Sequence, residues 1–457
     1  MILVGANKNQ TPPRREEAVQ EPLLPTRTPT QPSNEVHDLS LDECSTPFPF
    51  RRPSRRLSKR ARRRCHLVAF IASLGFFVCF VFPALRTEVA RYKDNRHIPI
   101  PEEIVLTRCA NIMSGYGRCF GQFDVDMDSA YFLARGALAS GTVVVTQSDA
   151  SRHLSSKMAK VTVHAVAEDP RFFNYLQVCE FKERASARAG VGIFTVPWRP
   201  RLDGHFRISI ELPASMEAPL SAGEVAFDMP NFSHTFGPLW DVHFDQLNLF
   251  TSEQPIAADL LSARRASLRT SNAPIKGLFL TSGDINLQTA NSFIDVNLDI
   301  YDPQLPQGAS GRPGVEATLK TTNGYIQAFT NLTSRDGLHG CFSIEASTSR
   351  RKVFLDVTGA PSNATLHVDA STSCNMVDVK THKNFEGGFK LEALSPFREV
   401  HDTSRRDEKT GQGRLRQIWE YYRGTFLHEG AVSWGKSNQL GGHVHLRAPM
   451  GGTKLTL

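Results

Sequence analysis

The chain lacks several features that would place it in a common class of protein. Cysteine is scarce, with 8 residues in 457, which excludes a scaffold held together mainly by disulfides. Residues 65–457 have almost no charge excess, because 40 Lys and Arg face 39 Asp and Glu. A nucleic-acid-binding surface spread over the whole chain is therefore excluded. Hydrophobic residues make up 40% of the sequence, which excludes disorder of the whole chain.

The positive charge of the protein is concentrated at the N-terminus, where residues 1–64 carry 13 Lys and Arg against 7 Asp and Glu. Residues 1–50 are rich in Pro, Thr, Ser and Glu without apolar periodicity, which predicts a disordered tail. Residues 51–66 form a basic segment with two R-R-x-S motifs that end at Ser54 and Ser58. Phosphorylation at these two serines would weaken contact with anionic lipid.

One long apolar run follows the basic segment. Residues 67–85 contain no charged side chain, and nineteen residues of helix reach roughly 28 Å, enough to span the hydrocarbon core. The basic residues before the run place the N-terminus in the cytosol. The sequence therefore predicts a single-pass type II membrane protein, in contact with the lipid bilayer of the plasma membrane, ER or Golgi. Residues 86–104 would form a linker to an extracellular or lumenal domain.

Sequons and cysteines beyond the span fit this topology. N-x-[ST] motifs occur at Asn231, Asn331 and Asn363 on the predicted outer side, and one at Asn9 lies on the cytosolic side. Such motifs predict N-glycosylation of secreted segments. Five cysteines follow the span, so at least one is left without an intramolecular partner. Cys109 and Cys119 are close enough in sequence to pair, although spacing alone does not fix the pairing.

A repeat is the most specific signal in the sequence. Four segments share the pattern L-x-T-[AST]-[NE]-x-x-I and begin at Leu249, Leu268, Leu287 and Leu319. The first three are 19 residues apart, and the fourth regains this period when a Pro- and Gly-rich loop at 302–314 is removed. Leu, Thr and Asn at alternate positions would lie on one strand face, and the Asn step predicts a turn. Stacked copies would bury a continuous core and align their Asn side chains in a ladder.

The repeat predicts an all-β, solenoid-like domain, with an antiparallel β-sandwich as the alternative. Looser copies extend the repeat region over 249–396, whereas 105–248 shows strands and turns without a clear period. A charged insertion at 397–425 is predicted to contain a short helix near 415–422. Residues 426–457 return to alternation and would close the stack.

The repeat, the closing V-x-W-G…G-x-V-x-L-x-A-P segment and the preceding span resemble fungal single-pass membrane proteins with an adhesin-like domain. The resemblance covers roughly residues 105–457. It implies a right-handed β-solenoid-like fold and a role at the cell surface or wall. The function of that domain is itself unknown, so "adhesin-like" refers to architecture.

Two acidic clusters are weak candidates for a metal site. Asp124, Asp126 and Asp128 alternate as in a glycosyltransferase D-x-D clamp, but the spacing lacks the Gly and Glu of a calcium loop. Asp241, His243 and Asp245 alternate on one predicted strand, with His234 nearby. His443 and His445 form a similar pair.

A phosphate-binding pattern at 430–437 lacks the following helix that this motif requires. No G-x-S-x-G motif is present.

No motif in the sequence establishes a catalytic residue, a metal site or a cofactor. We therefore expect a binding or structural protein that contacts a glycan, a cell-wall polymer or another protein, and not nucleic acid. The alternative is a membrane-anchored glycosyltransferase or glycosidase, which would share the type II topology.

The topology can be tested by glycosylation. We expect endoglycosidase treatment to shift the electrophoretic mobility of the protein made in the secretory pathway. Removal of all three outer sequons, by Asn→Gln at 231, 331 and 363, should abolish the shift, and Asn9→Gln should leave it unchanged. Modification at Asn9 alone would show that the chain has the opposite orientation.

Overall fold

A computed structural model describes residues 98–110, 118–148, 157–186, 188–198, 202–214, 219–303, 314–394, 397–403, 416–434 and 441–457. The predicted tail, basic segment and span, with Ser54 and Ser58, lie outside these residues. Within the described part of the chain, no helix is both long and apolar enough to cross a bilayer.

The described chain is all-β, as the sequence predicts, with a 3₁₀ helix at Pro170–Tyr175. Apolar and polar residues alternate along most strands, so that one side of each strand is buried. The strands, in chain order, are β1 Ile104–Cys109, β2 Arg118–Asp126, β3 Ser129–Arg135, β4 Gly141–Gln147, β5 Met158–Ala167, β6 Leu176–Glu183, β7 Ala189–Thr195, β8 Gly204–Leu212, β9 Leu220–Asp228, β10 Phe232–Phe250, β11 Ile256–Arg269, β12 Ile275–Thr281, β13 Ile285–Gln288, β14 Ile294–Asp302, β15 Val315–Lys320, β16 Ile326–Ser334, β17 Cys341–Thr348, β18 Val353–Gly359, β19 Thr365–Thr372, β20 Val377–Lys380, β21 Gly387–Ala393, β22 Arg398–His401, β23 Arg416–Arg423, β24 Leu427–Trp434, β25 Gly442–Ala448 and β26 Thr453–Thr456.

The strands form two layers around one hydrophobic core. Layer A contains, in spatial order, β2, β5, β8, β4, the first part of β10, the first part of β11, β12, β14, β16, β18, β20, β26 and β22. Layer B contains β1, β6, β7, β3, β9, the second part of β10, the second part of β11, β13, β15, β17, β19, β25, β21, β24 and β23. Because β10 and β11 run through both layers, the hydrogen bonding is continuous between them.

Equivalent positions of the repeat lie side by side in parallel ladders. In layer A, Ile275 is aligned with Ile294, which is aligned with Ile326. In layer B, Leu268 is aligned with Leu287, and Leu287 with Leu319. These residues are at most 1% exposed. The antiparallel sandwich is wrong for these strands, because each of the ladders that joins one copy to the next is parallel.

The Pro- and Gly-rich loop connects β14 to β15 in sequence, and its residues 304–313 lie outside the described residues. The strands on either side of it keep the register of the other copies, because β14 is aligned with β12 and β16, and β15 with β13 and β17. The insertion therefore leaves the pairing in both layers unchanged.

Threonine hydroxyls at one corner of the stack form hydrogen bonds with the preceding copy of the repeat. The Oγ1 atoms of Thr289 and Thr348 donate to the carbonyl oxygens of Ala273 and Gly324, at 3.0 and 2.8 Å. Both side chains are buried. Without such partners the buried hydroxyls would destabilise the fold.

The predicted asparagine ladder is present beside these threonines. Asn272 Nδ2 donates to Glu253 Oε1 at 2.7 Å, Asn291 Nδ2 to Asn272 Oδ1 at 2.6 Å, and Asn323 Nδ2 to Asn291 Oδ1 at 2.6 Å. Because Asn272 and Asn291 each accept on one side and donate on the other, the chain of hydrogen bonds runs along the stack from Glu253 to Asn323.

Strand order departs from chain order at both ends of the stack. The pair β3–β4 lies between the pair β7–β8 and the pair formed by β9 and β10. Similarly, β25–β26 lies between β19–β20 and β21–β22. The predicted closing segment therefore enters the interior of both layers.

The helix predicted near 415–422 is wrong. Residues Arg416–Arg423 form β23, which pairs antiparallel with β24. The aromatic residues of this segment favour a β-strand, and β24 supplies the backbone hydrogen-bond partners that a strand requires.

The predicted pairing of Cys109 with Cys119 is also wrong. Cys109 forms a disulfide with Cys179, and their Cα atoms are 3.9 Å apart. β1 and β6 are antiparallel neighbours in layer B and place these cysteines opposite each other. Cys119 belongs to β2, which is paired with β5 in layer A, so sequence proximity did not predict spatial proximity.

The corner threonines should contribute measurably to stability. We expect Thr289→Val to lower the free energy of unfolding by about 1 kcal/mol, because a buried carbonyl loses its hydroxyl donor while the side-chain shape is kept. Thr235→Val, at an exposed position of β10, is the control and should change it by less than about 0.5 kcal/mol. Urea denaturation measures the free energy of unfolding of both variants. Equal losses in the two would contradict a stabilising role of the corner threonines.

Candidate functional site

A column of short polar side chains crosses the outer surface of layer B. Asn248, Ser267, Asn286 and Thr318 are aligned with one another on β10, β11, β13 and β15. Their neighbours along each strand are buried, so alternation directs these four side chains outward. Adjacent members of the column are separated by the strand spacing of about 4.8 Å.

A groove of about 320 Å³ lies over this column. Its lining combines carboxamides, hydroxyls, one guanidinium and two carboxylates. The polar lining residues are Gln246, Asn248, Arg265, Ser267, Asp284, Asn286, Glu316 and Thr318.

The bend between β12 and β13 shapes one wall of the groove. Thr281 Oγ1 donates to the carbonyl oxygen of Arg264 at 3.2 Å and to that of Gly283 at 2.9 Å. A Cβ atom at Gly283 would lie 2.5 Å from the Arg264 carbonyl oxygen, so only glycine permits this close approach. The tight bend brings Asp284 to the groove immediately before β13.

The groove offers both hydrogen-bond donors and acceptors with little net charge. Thr318 Oγ1 donates to Glu316 Oε1 at 3.2 Å, which orients one carboxylate. The carboxamide oxygen of Asn286 is buried and has no hydrogen-bond partner. One guanidinium against two carboxylates gives a nearly balanced lining, which suits a ligand rich in hydroxyl groups better than a highly charged one.

The second predicted metal cluster is dispersed by the bend in β10. His234 points into the core of layer A, and Asp241 is exposed at the bend. His243 Nδ1 is 3.0 Å from Ser262 Oγ, and burial lowers the pKa of His243. The side-chain hydrogen bond from Arg264 lowers the pKa of Asp245. These residues therefore have separate partners and do not converge on one point.

Asp124, Asp126 and Asp128 are exposed on the outer side of β2 and in the turn that follows it. Lys157 Nζ contacts Asp128 Oδ1 at 2.7 Å. Among the described strands, β2 pairs only with β5, and a row of like charges on such an edge discourages pairing with another chain. Among the described residues, no set of three His, Cys, Asp or Glu side chains could hold a metal ion.

The remaining sequence candidates are separate from the groove. Gly430 lies within β24, while Gly435, Lys436 and Ser437 of the phosphate-binding pattern lie outside the described residues. His443 and His445 are on β25; burial is the main cause that lowers the pKa of His443.

The three outer sequons have different surroundings. Asn363 is exposed in the turn before β19. Asn231 is half-buried in the turn before β10, and Asn331 is half-buried on β16.

The groove residues were not predicted from the sequence, although the repeat contained a signal for all eight polar ones. The residue directly before each repeat leucine is Asn248, Ser267, Asn286 or Thr318. A polar residue at that position in all four copies predicts an outward column. The residue three positions before each repeat leucine is Gln246, Arg265, Asp284 or Glu316, so the repeat also places a second polar column in the groove.

Comparisons with known proteins give no family for this chain. No family model and no curated protein matches the sequence. A proposed cell adhesion protein from Clostridium sporogenes is 8% identical, covers 74% of this chain and 98% of its own, and has a TM-score of 0.15. A proposed adhesin from Bacteroides fragilis is 12% identical, covers 58% and 98%, and has a TM-score of 0.25. At these TM-scores neither likeness carries an argument.

His234 makes the stability of the domain pH-dependent. Its side chain is fully buried beside Phe227, and burial lowers its pKa from 6.5 to about 3. Between these values the unfolded chain binds a proton that the folded chain excludes, so acid favours unfolding. We expect the free energy of unfolding to fall by up to about 1.4 kcal/mol per pH unit below pH 6.5 from this residue.

Denaturation at pH 7, 6, 5 and 4 measures this dependence. His234→Leu should reduce the slope of the free energy of unfolding against pH, because leucine binds no proton. His205→Leu, at an exposed position of β8, is the control and should keep the wild-type slope. An unchanged slope in His234→Leu would show that other groups cause the acid sensitivity.

Proposed function

We propose that this protein is a single-pass type II membrane protein whose outer domain is a β-solenoid that binds a hydroxyl-rich polymer. The ligand is a glycan chain of a cell surface or wall, held in the groove of layer B. The observation that carries the proposal is the aligned column formed by Asn248, Ser267, Asn286 and Thr318.

The parallel register supports a solenoid. Consecutive copies occupy adjacent positions in both layers, as coils of a solenoid do. Such a stack presents the same kind of side chain at regular intervals along its surface. An extended polymer with repeated hydroxyl groups can contact several coils in succession, whereas a small ligand would use only one or two.

The chemistry of the groove supports a sugar ligand. Carboxamide and carboxylate side chains can each contact two neighbouring hydroxyls, and a guanidinium donates without accepting. A polar groove that recognises hydroxyls in this way loses affinity strongly when one of its groups is removed.

Membrane anchoring is supported by the uncharged run at 67–85 and the basic residues before it. An anchored binding domain at the cell surface also agrees with the resemblance to fungal adhesin-like proteins. Anchoring would keep many copies on one surface and raise the effective concentration of their binding sites.

A glycosidase is the second candidate, because both Asp284 and Glu316 line the groove. Most glycoside hydrolases use a pair of carboxylic acids, one as an acid and the other as a base or nucleophile. Hydrolysis of a bound glycan would therefore need no additional residue type in this groove.

Binding of the full-length protein to immobilised β-1,3-glucan, mannan and chitin tests the proposal. We expect at least one polysaccharide to bind, and Asn286→Leu to weaken that binding about tenfold, because a polar contact in the groove is replaced by an apolar side chain. Asn297→Leu, at an exposed position on the outer side of β14 in layer A, is the matched control and should bind as the wild type does.

Three outcomes distinguish the alternatives. Absence of binding to all three polysaccharides would reject them as ligands. An equal loss of affinity in Asn286→Leu and Asn297→Leu would reject the groove as the binding site. Shortening of the bound polysaccharide, abolished by Glu316→Gln, would identify the glycosidase.

A further inference from the structure

Among the described strands, β23 is the last strand of layer B. It pairs with β24 on one side, and no other described strand pairs with its outer side. The backbone groups along an open edge are suited to form hydrogen bonds with a strand of another molecule. The structure therefore offers a place where layer B could be extended.

Large aromatic side chains surround this edge. Trp419, Tyr421 and Tyr422 are 39%, 66% and 55% exposed, and Phe426 in the following turn is 57% exposed. A cluster of exposed aromatic residues of this kind is typical of protein interfaces. A bulge leaves Tyr421 without a partner on β24, and its side chain is the most exposed of these four.

The charges on β23 are complementary to those of a second copy. Glu420 and Arg423 lie close together, with Oε2 and Nη1 3.9 Å apart. If two copies of β23 pair antiparallel, one register places Glu420 opposite Arg423 of the second copy, and Arg423 opposite Glu420. The same register places Tyr421 opposite Tyr422. Opposite charges and aromatic pairs both stabilise cross-strand contacts.

The opposite end of the stack differs in chemistry. The edge strand β2 presents the exposed carboxylates of Asp124 and Asp126. Two copies of this edge would bring like charges together, which opposes association. Charge complementarity therefore favours the β23 edge over the β2 edge for contact between identical chains.

We propose that two copies of this protein associate end to end through β23, by antiparallel pairing around a two-fold axis. The contact is isologous, since the same residues are used on both sides. Layer B then continues from one copy to the other, so that the dimer carries two grooves on one extended sheet. The proposal does not depend on the ligand of the groove.

Light scattering of the full-length protein in detergent micelles, over a range of concentrations, tests the association. We expect a dimer for the wild type. Glu420→Arg and Arg423→Glu should each raise the dissociation constant about tenfold, because each creates two like-charge pairs. The double reversal should return the constant to within about threefold of the wild type, because the opposite-charge pairs are restored.

Glu420 Oε1 also lies 3.4 Å from His428 Nε2, so a substitution of Glu420 removes a contact within the chain as well. A second pair of variants therefore tests the association without changing Glu420. Tyr421→Lys should weaken the dimer, whereas Tyr301→Lys, at a 39% exposed tyrosine of layer A, should not. Thermal unfolding checks that all variants are folded.

A monomeric wild type would overturn the proposal. So would a dimer that none of these substitutions at β23 weakens, because its contact would then lie on another surface, such as the membrane span. A double reversal that dissociates as readily as the single variants would reject the antiparallel register.

Discussion

The parallel ladder is the constraint on which the rest of the structure depends. Each copy of the repeat can pair with the previous one only if its corner falls in the same place, and buried threonines hold that corner. The Thr289 hydroxyl, for example, reaches a carbonyl oxygen of the copy before it. Once the corner is fixed, every position along the strand is aligned with its equivalent in the next copy. The apolar columns of the core and the polar column of the groove are consequences of the same register.

The fold was predictable where local pattern and long-range packing agree. Leucine, threonine and isoleucine recur at the positions where the ladders require them, so the stacking of residues 249–328 could be read from the sequence. The segment around Trp419 shows the limit. Its pattern fits a short helix or a strand about equally well, and pairing with β24 decides between them. Cys109 shows another limit, because its partner is defined by the pairing of β1 with β6.

The candidate site was only partly accessible to sequence reasoning. The polar residues of the groove follow the repeat, because they stand one and three positions before each repeat leucine. The repeat does not show that these outward positions line a groove. Conversely, the alternating Asp and His residues around His243 suggested a site, and the bend of β10 separates them. Residue type and alternation define which side of a strand a residue occupies. They do not define which distant strands meet at a corner.

The insertion of β25–β26 between earlier strands has a consequence for biosynthesis. Residues 442–456, near the C-terminus, occupy interior positions of both layers, between β19–β20 and β21–β22. Chains emerge from the ribosome N-terminus first, so β19–β20 and β21–β22 are synthesised before the strands that lie between them. Until β25–β26 are made, β19, β20 and β21 lack a partner on one side, and β22 has no partner among the described strands. In a chain that stops short of β25, no described pairing joins β21, β24 and β23 to the rest of layer B.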